Sequence, residues 1–157
     1  MIARAAAATV TIVALAGCGS STLSARALRT QASRVCITAV RRSDRIALPR
    51  SNAGGTAFLA RGIAVFGPEL EALRKLAPPP SLRANYRAAV ADAAQQLDAL
   101  IATEHDLRKG GDPVGAIRQL EGELTAINAR DRDAWNAIGV PACSNLTPPL
   151  GGAERSG

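Results

Sequence analysis

The sequence predicts an all-α protein: an antiparallel up-down four-helix bundle with one disulfide bond and a proline kink in the second helix. Four segments repeat apolar residues every three or four positions, and no segment shows the alternation expected of a strand. Short connections separate these segments, so consecutive helices are expected to lie antiparallel. The 157 residues suit one domain, and with aromatic residues at only 3% the core should be thin.

The first helix is predicted from near Thr22 to about Ala47. Leu48-Pro49 should end it, because the residue before a proline disfavours the helical conformation. At about 100° per residue, one face of this helix is apolar and has Cys36 at its edge. That face consists of Leu28, Ala32, Val35, Ala39 and Ile46.

A loop is predicted from Arg50 to Thr56, followed by a second helix that Pro78-Pro79-Pro80 ends. The apolar residues of this helix keep one register across Gly67-Pro68, so a kink is expected there instead of a turn. The apolar stripe comprises Leu59, Ile63, Phe66, Leu70 and Leu73.

Capping signals delimit the third and fourth helices. Ser81 is expected to cap the third helix, and Lys109-Gly110-Gly111 to end it. Asp112-Pro113 should start the fourth helix, and the Gly139–Pro141 step should close it just before Cys143. The third stripe is Leu82, Tyr86, Ala89, Val90, Ala93, Leu97 and Leu100, and the fourth is Ile117, Leu120, Leu124, Ile127, Ala134, Trp135 and Ile138.

The first residues have the pattern of an export signal. A cationic start is followed by the apolar run from Ala5 to Ala16, which is shorter than the roughly 20 residues of a transmembrane helix. The run closes with Leu15-Ala16-Gly17-Cys18, which resembles the lipobox of bacterial lipoprotein precursors. The resemblance implies acylation of Cys18, cleavage before it, and a lipid anchor on the extracytoplasmic face of the cell membrane. An ordinary secretory signal with an incidental cysteine, or an uncleaved anchor, is the alternative.

The remaining cysteines form a single candidate pair. Acylation of Cys18 leaves Cys36 and Cys143, and an exported protein meets an oxidising environment, so a disulfide bond between them is expected. Two unpaired buried thiols are the alternative. The predicted organisation is a lipoprotein signal peptide (1–17), a helical bundle (18–143) and a disordered tail (144–157), because the tail carries two prolines and three glycines.

The mature chain also resembles the small helical lipoproteins and secreted proteins of actinobacteria and related high-GC bacteria. The matching features are Cys36 in the first helix, the segment from Leu73 to Pro80, and the step from Gly139 to Cys143. These signals are architectural. The resemblance therefore implies a helical extracytoplasmic domain and no particular catalytic or binding residue.

Residues with catalytic or metal-binding chemistry are sparse. His105 is the only histidine, and nucleotide-binding, hydrolase, zinc-protease and Cys-x-x-Cys motifs are missing from the sequence. Glu104 and Asp131 fall on apolar stripes, at opposite ends of the interface between helices 3 and 4. Asp131 is expected to meet Tyr86 or a nearby arginine. A carboxylate that faces solvent near a bundle end, or one that orients a ligand in a bundle pocket, is the alternative. We predict a protein that is not an enzyme and has no cofactor, metal site or nucleic-acid partner.

Arginines form the one surface with a functional pattern. Arg26, Arg34, Arg41 and Arg45 lie opposite the apolar face of the first helix and begin within ten residues of Cys18. Such a face suits anionic lipid or an acidic envelope component, and a solvated face without a partner is the alternative. The predicted function is a non-enzymatic binding module of the cell envelope. A small-ligand carrier or sensor is the alternative, and a pocket at Phe66, Tyr86 and Trp135, with Asp131 at its mouth, would favour it.

Overall fold

Four α-helices follow one another along the part of the chain that the computed structural model describes, residues 22–144. Three short 3-10 turns connect or follow them, and no strand occurs within these residues, so the predicted fold class is confirmed. The predicted signal peptide, Cys18 and residues 145–157 of the predicted tail lie outside the described residues. The helices are α1 (Ala25–Ser43), α2 (Gly55–Arg74), α3 (Arg83–Arg108) and α4 (Pro113–Ile138), and the 3-10 turns are Asn52–Gly54, Pro80–Leu82 and Pro141–Cys143.

Helix α1 is shorter at both ends than the apolar pattern predicts. It begins after Ser24, whose side chain accepts a hydrogen bond from the backbone N–H of Ala27 at 3.1 Å. It ends at Ser43, because the N–H of Ile46 bonds to the carbonyl of Ser43 in a tight turn. Leu48-Pro49 therefore lies several residues beyond the helix end.

Helix α2 continues through Pro68, as the unbroken apolar register predicts. Proline has no N–H, so the carbonyl of Ala64 receives no helical hydrogen bond from this position. The prediction that Ser81 caps α3 is wrong. Ser81 belongs to the turn Pro80–Leu82, and α3 starts after Leu82 without a side-chain cap. The triple proline sets φ and removes donors, which favours a turn of this kind.

The start and end of α4 match their predicted signals. Asp112 accepts hydrogen bonds from the N–H groups of Val114 and Gly115, and Pro113 is the first helical residue. Gly139 ends the helix with φ at +81°, a left-handed conformation that glycine adopts without steric cost.

Three contacts show that neighbouring helices run antiparallel and that four helix termini meet at one end of the bundle. The N–H of Leu23 donates to the carbonyl of Ala77 at 2.8 Å, which joins the start of α1 to the end of α2. The hydroxyl of Tyr86 donates to the carbonyl of Leu73 at 2.8 Å. Arg29 Nε donates to the carbonyl of Ile138 at 2.7 Å and so caps α4. We call this the Leu23 end.

The core is centred on Trp135, which is fully buried and meets Tyr86 edge to face, with ring centroids 5.7 Å apart. Helix α1 contributes mainly small side chains to this core, and Cys36 lies in the middle of its buried face, with Val35 at the edge. The main core side chains from all four helices are Leu28, Ala32, Phe58, Leu59, Phe66, Leu73, Ala89, Leu100, Leu120, Leu124 and Ile138.

A disulfide bond joins Cys36 to Cys143, with a Cα–Cα distance of 5.0 Å, as the cysteine count predicts. Both cysteines are fully buried, and the turn Pro141–Cys143 packs directly on α1. The bond therefore fastens the turn that follows α4 to the first helix. Because the core and this bond lie between Leu28 and Cys143, a chain starting at Gly19 keeps every core contact described.

Loss of the disulfide bond should lower the free energy of unfolding by about 5 kcal/mol, because the cross-link spans 107 residues. Urea unfolding of the chain from Gly19 should shift to lower urea when a thiol reductant is added. The double variant Cys36→Ala, Cys143→Ala should have the lower midpoint already and should not respond to reductant. Equal midpoints with and without reductant in the native chain would show that the bond does not carry this stability.

Candidate functional site

The arginine face of α1 is exposed as predicted. Arg26, Arg34 and Arg41 lie on the side of the helix opposite its buried residues, and Arg45 is exposed in the turn that follows. Within residues 22–144, no ion pair links these four side chains to a carboxylate. Four arginines stand here beside the single acid Asp44, so the face carries a net positive charge.

An apolar residue sits within this arginine face. The side chain of Ile37 is 41% exposed, and its position on the helix lies between those of Arg26 and Arg41. Ile37 lines an open depression of about 510 Å³ with three arginines and three small polar residues: Arg29, Arg34, Arg41, Thr30, Ser33 and Thr38. The arginines were predicted from the sequence, but the isoleucine among them was not. An apolar residue among cations suits the boundary between headgroups and acyl chains.

Asp131 is the first of the two acids predicted on an apolar stripe. It is 1% exposed and accepts a hydrogen bond from Trp135 Nε1 at 2.9 Å, and Gln96 also bonds to it. The prediction that it meets Tyr86 or an arginine is wrong, because Trp135 lies one turn further along the same helix and reaches it first. Burial raises the pKa of Asp131 to about 7, although both hydrogen bonds oppose the rise.

Glu104 is separate from Asp131, as predicted. It is buried near the end of α3 and pairs with Arg108 on the same helix. Asp131 meets α3 at Gln96, two helical turns before Glu104, which is a separation of about 12 Å along the axis. The two carboxyl groups therefore do not form a pair. His105 is exposed near the same helix end.

Glu69 is a buried carboxyl group without a hydrogen-bond partner, and its burial was not predicted from the sequence. Its side chain is 7% exposed, and neither carboxyl oxygen has a hydrogen-bond partner. Burial raises the pKa of Glu69 to about 8, while the positive charge of Arg42 on α1 acts in the opposite direction. A buried carboxyl without a partner is costly, and such groups often mark functional sites.

A small cavity between α2 and α3 adjoins Glu69. Its volume is about 20 Å³, which is enough for about one water molecule. Gln96 lines the same cavity and also bonds to Asp131, so polar groups from α2, α3 and α4 lie close together in an otherwise apolar core. The remaining lining residues are Phe66, Leu70, Leu73, Ala93, Leu97 and Leu100.

The buried face of α2 explains why Glu69 was missed. The predicted stripe followed Ile63, which is half-buried, whereas the structure buries Phe58, Gly62 and Glu69. Phe58 and Glu69 are 11 residues apart, three turns of helix, and so share a face. Glycine has no apolar side chain, so Gly62 leaves a gap in the pattern. Phe58 is the one apolar residue in the sequence that could have indicated that the buried face of α2 includes Glu69.

Comparison of the chain with protein-family models, curated proteins and solved structures gave no significant match. Between Thr22 and Ser144, none of the helices is sufficiently long and apolar to cross a membrane. In the same part of the chain, no three His, Cys, Asp or Glu side chains cluster as metal ligands. The candidate sites therefore rest on the local geometry alone.

Replacing Glu69 should make the stability of the fold less dependent on pH between about 4.5 and 8. The unfolded chain ionises this carboxyl near pH 4.5, but the folded chain does so only near pH 8, so native stability falls between these values. Glu69→Gln does not ionise, and its advantage over the native chain should grow across this range, to about 4–5 kcal/mol. Urea unfolding at a series of pH values measures the difference.

Glu71→Gln is the matched control, because Glu71 lies on the same helix but is exposed and paired with Arg74. It should follow the pH profile of the native chain. Parallel profiles for Glu69→Gln and the native chain would show that Glu69 is ionised in the folded protein over the whole range.

Proposed function

We propose that the chain is a lipoprotein anchored through Cys18 on the extracytoplasmic face of the cell membrane, where its helical domain is a non-enzymatic binding module for anionic lipid. The observation that carries this proposal is the arginine face of α1, which is exposed, has no ion pairs to carboxylates within residues 22–144 and includes Ile37. Each arginine held near an anionic bilayer contributes about 1 kcal/mol to binding.

The lipid anchor supplies the proximity that this surface needs. Leu23 is five residues after Cys18, so its backbone would lie within about 18 Å of a lipidated cysteine. The anchor itself is proposed from the lipobox-like Leu15-Ala16-Gly17-Cys18 and the apolar run before it. An arginine face so close to the anchor would add an electrostatic contact to the acyl chains.

A small-ligand carrier or sensor has weaker support. Trp135 and Tyr86 fill the core where this function requires a pocket, and Asp131 is bonded to Trp135 instead of opening to solvent. The cavity at Glu69 favours this function only for a ligand of about the size of water. A larger molecule would have to displace apolar side chains between α2 and α3.

Lipid attachment should depend on Cys18 alone. When the full chain is expressed in a bacterium supplied with a radiolabelled fatty acid, the native chain should incorporate label and fractionate with the membrane. Cys18→Ala should do neither, because the lipobox-like position then has no thiol to accept the lipid. The double variant Cys36→Ala, Cys143→Ala is the control that keeps Cys18, and any of it that accumulates should carry label. Label in Cys18→Ala would exclude the proposed anchor.

The arginine face should control binding to anionic vesicles. With the chain from Gly19, Arg34→Gln, Arg41→Gln should weaken binding to vesicles containing phosphatidylglycerol by about thirtyfold, given about 1 kcal/mol for each arginine. Arg61→Gln, Arg118→Gln removes the same charge from exposed positions on other helices and should have a smaller effect. Co-sedimentation at constant salt measures both. Equal losses for the two variants, or equal binding to phosphatidylcholine alone, would contradict a role for α1.

A further inference from the structure

A second cationic surface lies at the Leu23 end, between the end of α2 and the start of α3. It is a groove of about 550 Å³, a size typical of small-molecule sites. Three arginines, Arg74, Arg83 and Arg87, line it, and all three are exposed. The other lining residues are mostly apolar: Leu76, Pro78, Tyr86, Val90, Ala91 and Ala94. The groove thus combines cations with an apolar surface.

The charges in this groove are poorly compensated. Arg74 pairs with Glu71 at 2.6 Å, but neither Arg83 nor Arg87 has an ion pair within residues 22–144. These two residues are four positions apart in the first turns of α3, where like charges repel each other and the helix dipole disfavours cations. The first turn of α3 contains no acid. An anion bound between the two arginines would relieve both effects.

The position of the groove indicates where that anion comes from. Pro78, which lines the groove, follows Ala77, whose carbonyl accepts the hydrogen bond from Leu23. The groove therefore lies beside the point where the chain arrives from Cys18. This step rests on the lipid anchor of the proposed function, which would hold the Leu23 end near the membrane surface.

We propose that this groove binds a single anionic lipid, with its phosphate between Arg83 and Arg87 and the first part of its acyl chain on Leu76, Val90 and Ala94, which are half-buried. Guanidinium groups suit phosphate because they donate two hydrogen bonds in a plane. The apolar surface of the groove distinguishes a lipid from inorganic phosphate, which would use the arginines alone.

Calorimetric titration of the chain from Gly19 with dodecyl phosphate, below its micellar concentration, tests the site. One molecule of dodecyl phosphate should bind with saturation. Dodecylphosphocholine and inorganic phosphate should each bind at least about tenfold more weakly, because the first has no net negative charge and the second has no alkyl chain. Arg83→Gln, Arg87→Gln should weaken the binding of dodecyl phosphate by about thirtyfold, because two exposed ion pairs with the phosphate are lost. Ala91→Glu places a carboxylate at an exposed position in the groove and should also weaken the binding of dodecyl phosphate.

Arg34→Gln, Arg41→Gln is the control, and it should bind dodecyl phosphate as the native chain does. Native-like affinity in both groove variants would overturn the site. If inorganic phosphate bound as tightly as dodecyl phosphate, the groove would be a simple anion site and the lipid proposal would be wrong. If dodecylphosphocholine bound as tightly as dodecyl phosphate, the groove would recognise only the alkyl chain, and the proposal would also be wrong. The titration uses neither vesicles nor an anchor, so the groove and the proposed function can fail separately.

Discussion

The bond between Cys36 and Cys143 is the constraint on which the position of α1 depends. Helix α1 offers the core mainly Leu28 and small residues such as Ala32 and Ala39, so it buries little apolar surface compared with a leucine-rich helix. The disulfide bond fixes it to the turn after α4, and Arg29 adds a hydrogen bond to the end of that helix. The opposite side of α1 thereby remains free to carry charge.

The same constraint determines which surfaces lie close to the chain start. With α1 fixed, the start of α1, the end of α2, the start of α3 and the end of α4 meet at the Leu23 end. Beside the chain start, the short connection between α2 and α3 brings Arg74 together with Arg83 and Arg87, although these arginines are not neighbours on one helix. No helical pattern within one segment could have revealed the groove, because two helices form it.

The sequence predicted what depends on local rules. Apolar periodicity located four helices, the Asp112-Pro113 and Gly139 signals marked the ends of α4, and cysteine arithmetic identified the disulfide bond. The sequence did not predict features that depend on contacts between helices or on the conformation of a connecting turn. Only the packing of α3 against α4 brings Gln96 to Asp131, and the turn Pro80–Leu82 replaces the expected cap at Ser81. The burial of Glu69 was not predicted because Gly62, on the same buried face of α2, has no side chain and so does not contribute to the apolar pattern.

The length of α1 limits which arginines can touch a membrane together. Arg26 and Arg41 are 15 residues apart, about 22 Å along the helix, which is more than two Debye lengths of about 8 Å at physiological salt. If the Leu23 end faces the bilayer, Arg26 and the groove lie near the lipid and Arg41 is screened. If α1 lies along the surface, Ile37 and the whole arginine face reach the headgroups. A bundle tilted about its Leu23 end would keep Arg26 in contact in both cases, so Arg26 is the arginine whose contact depends least on orientation.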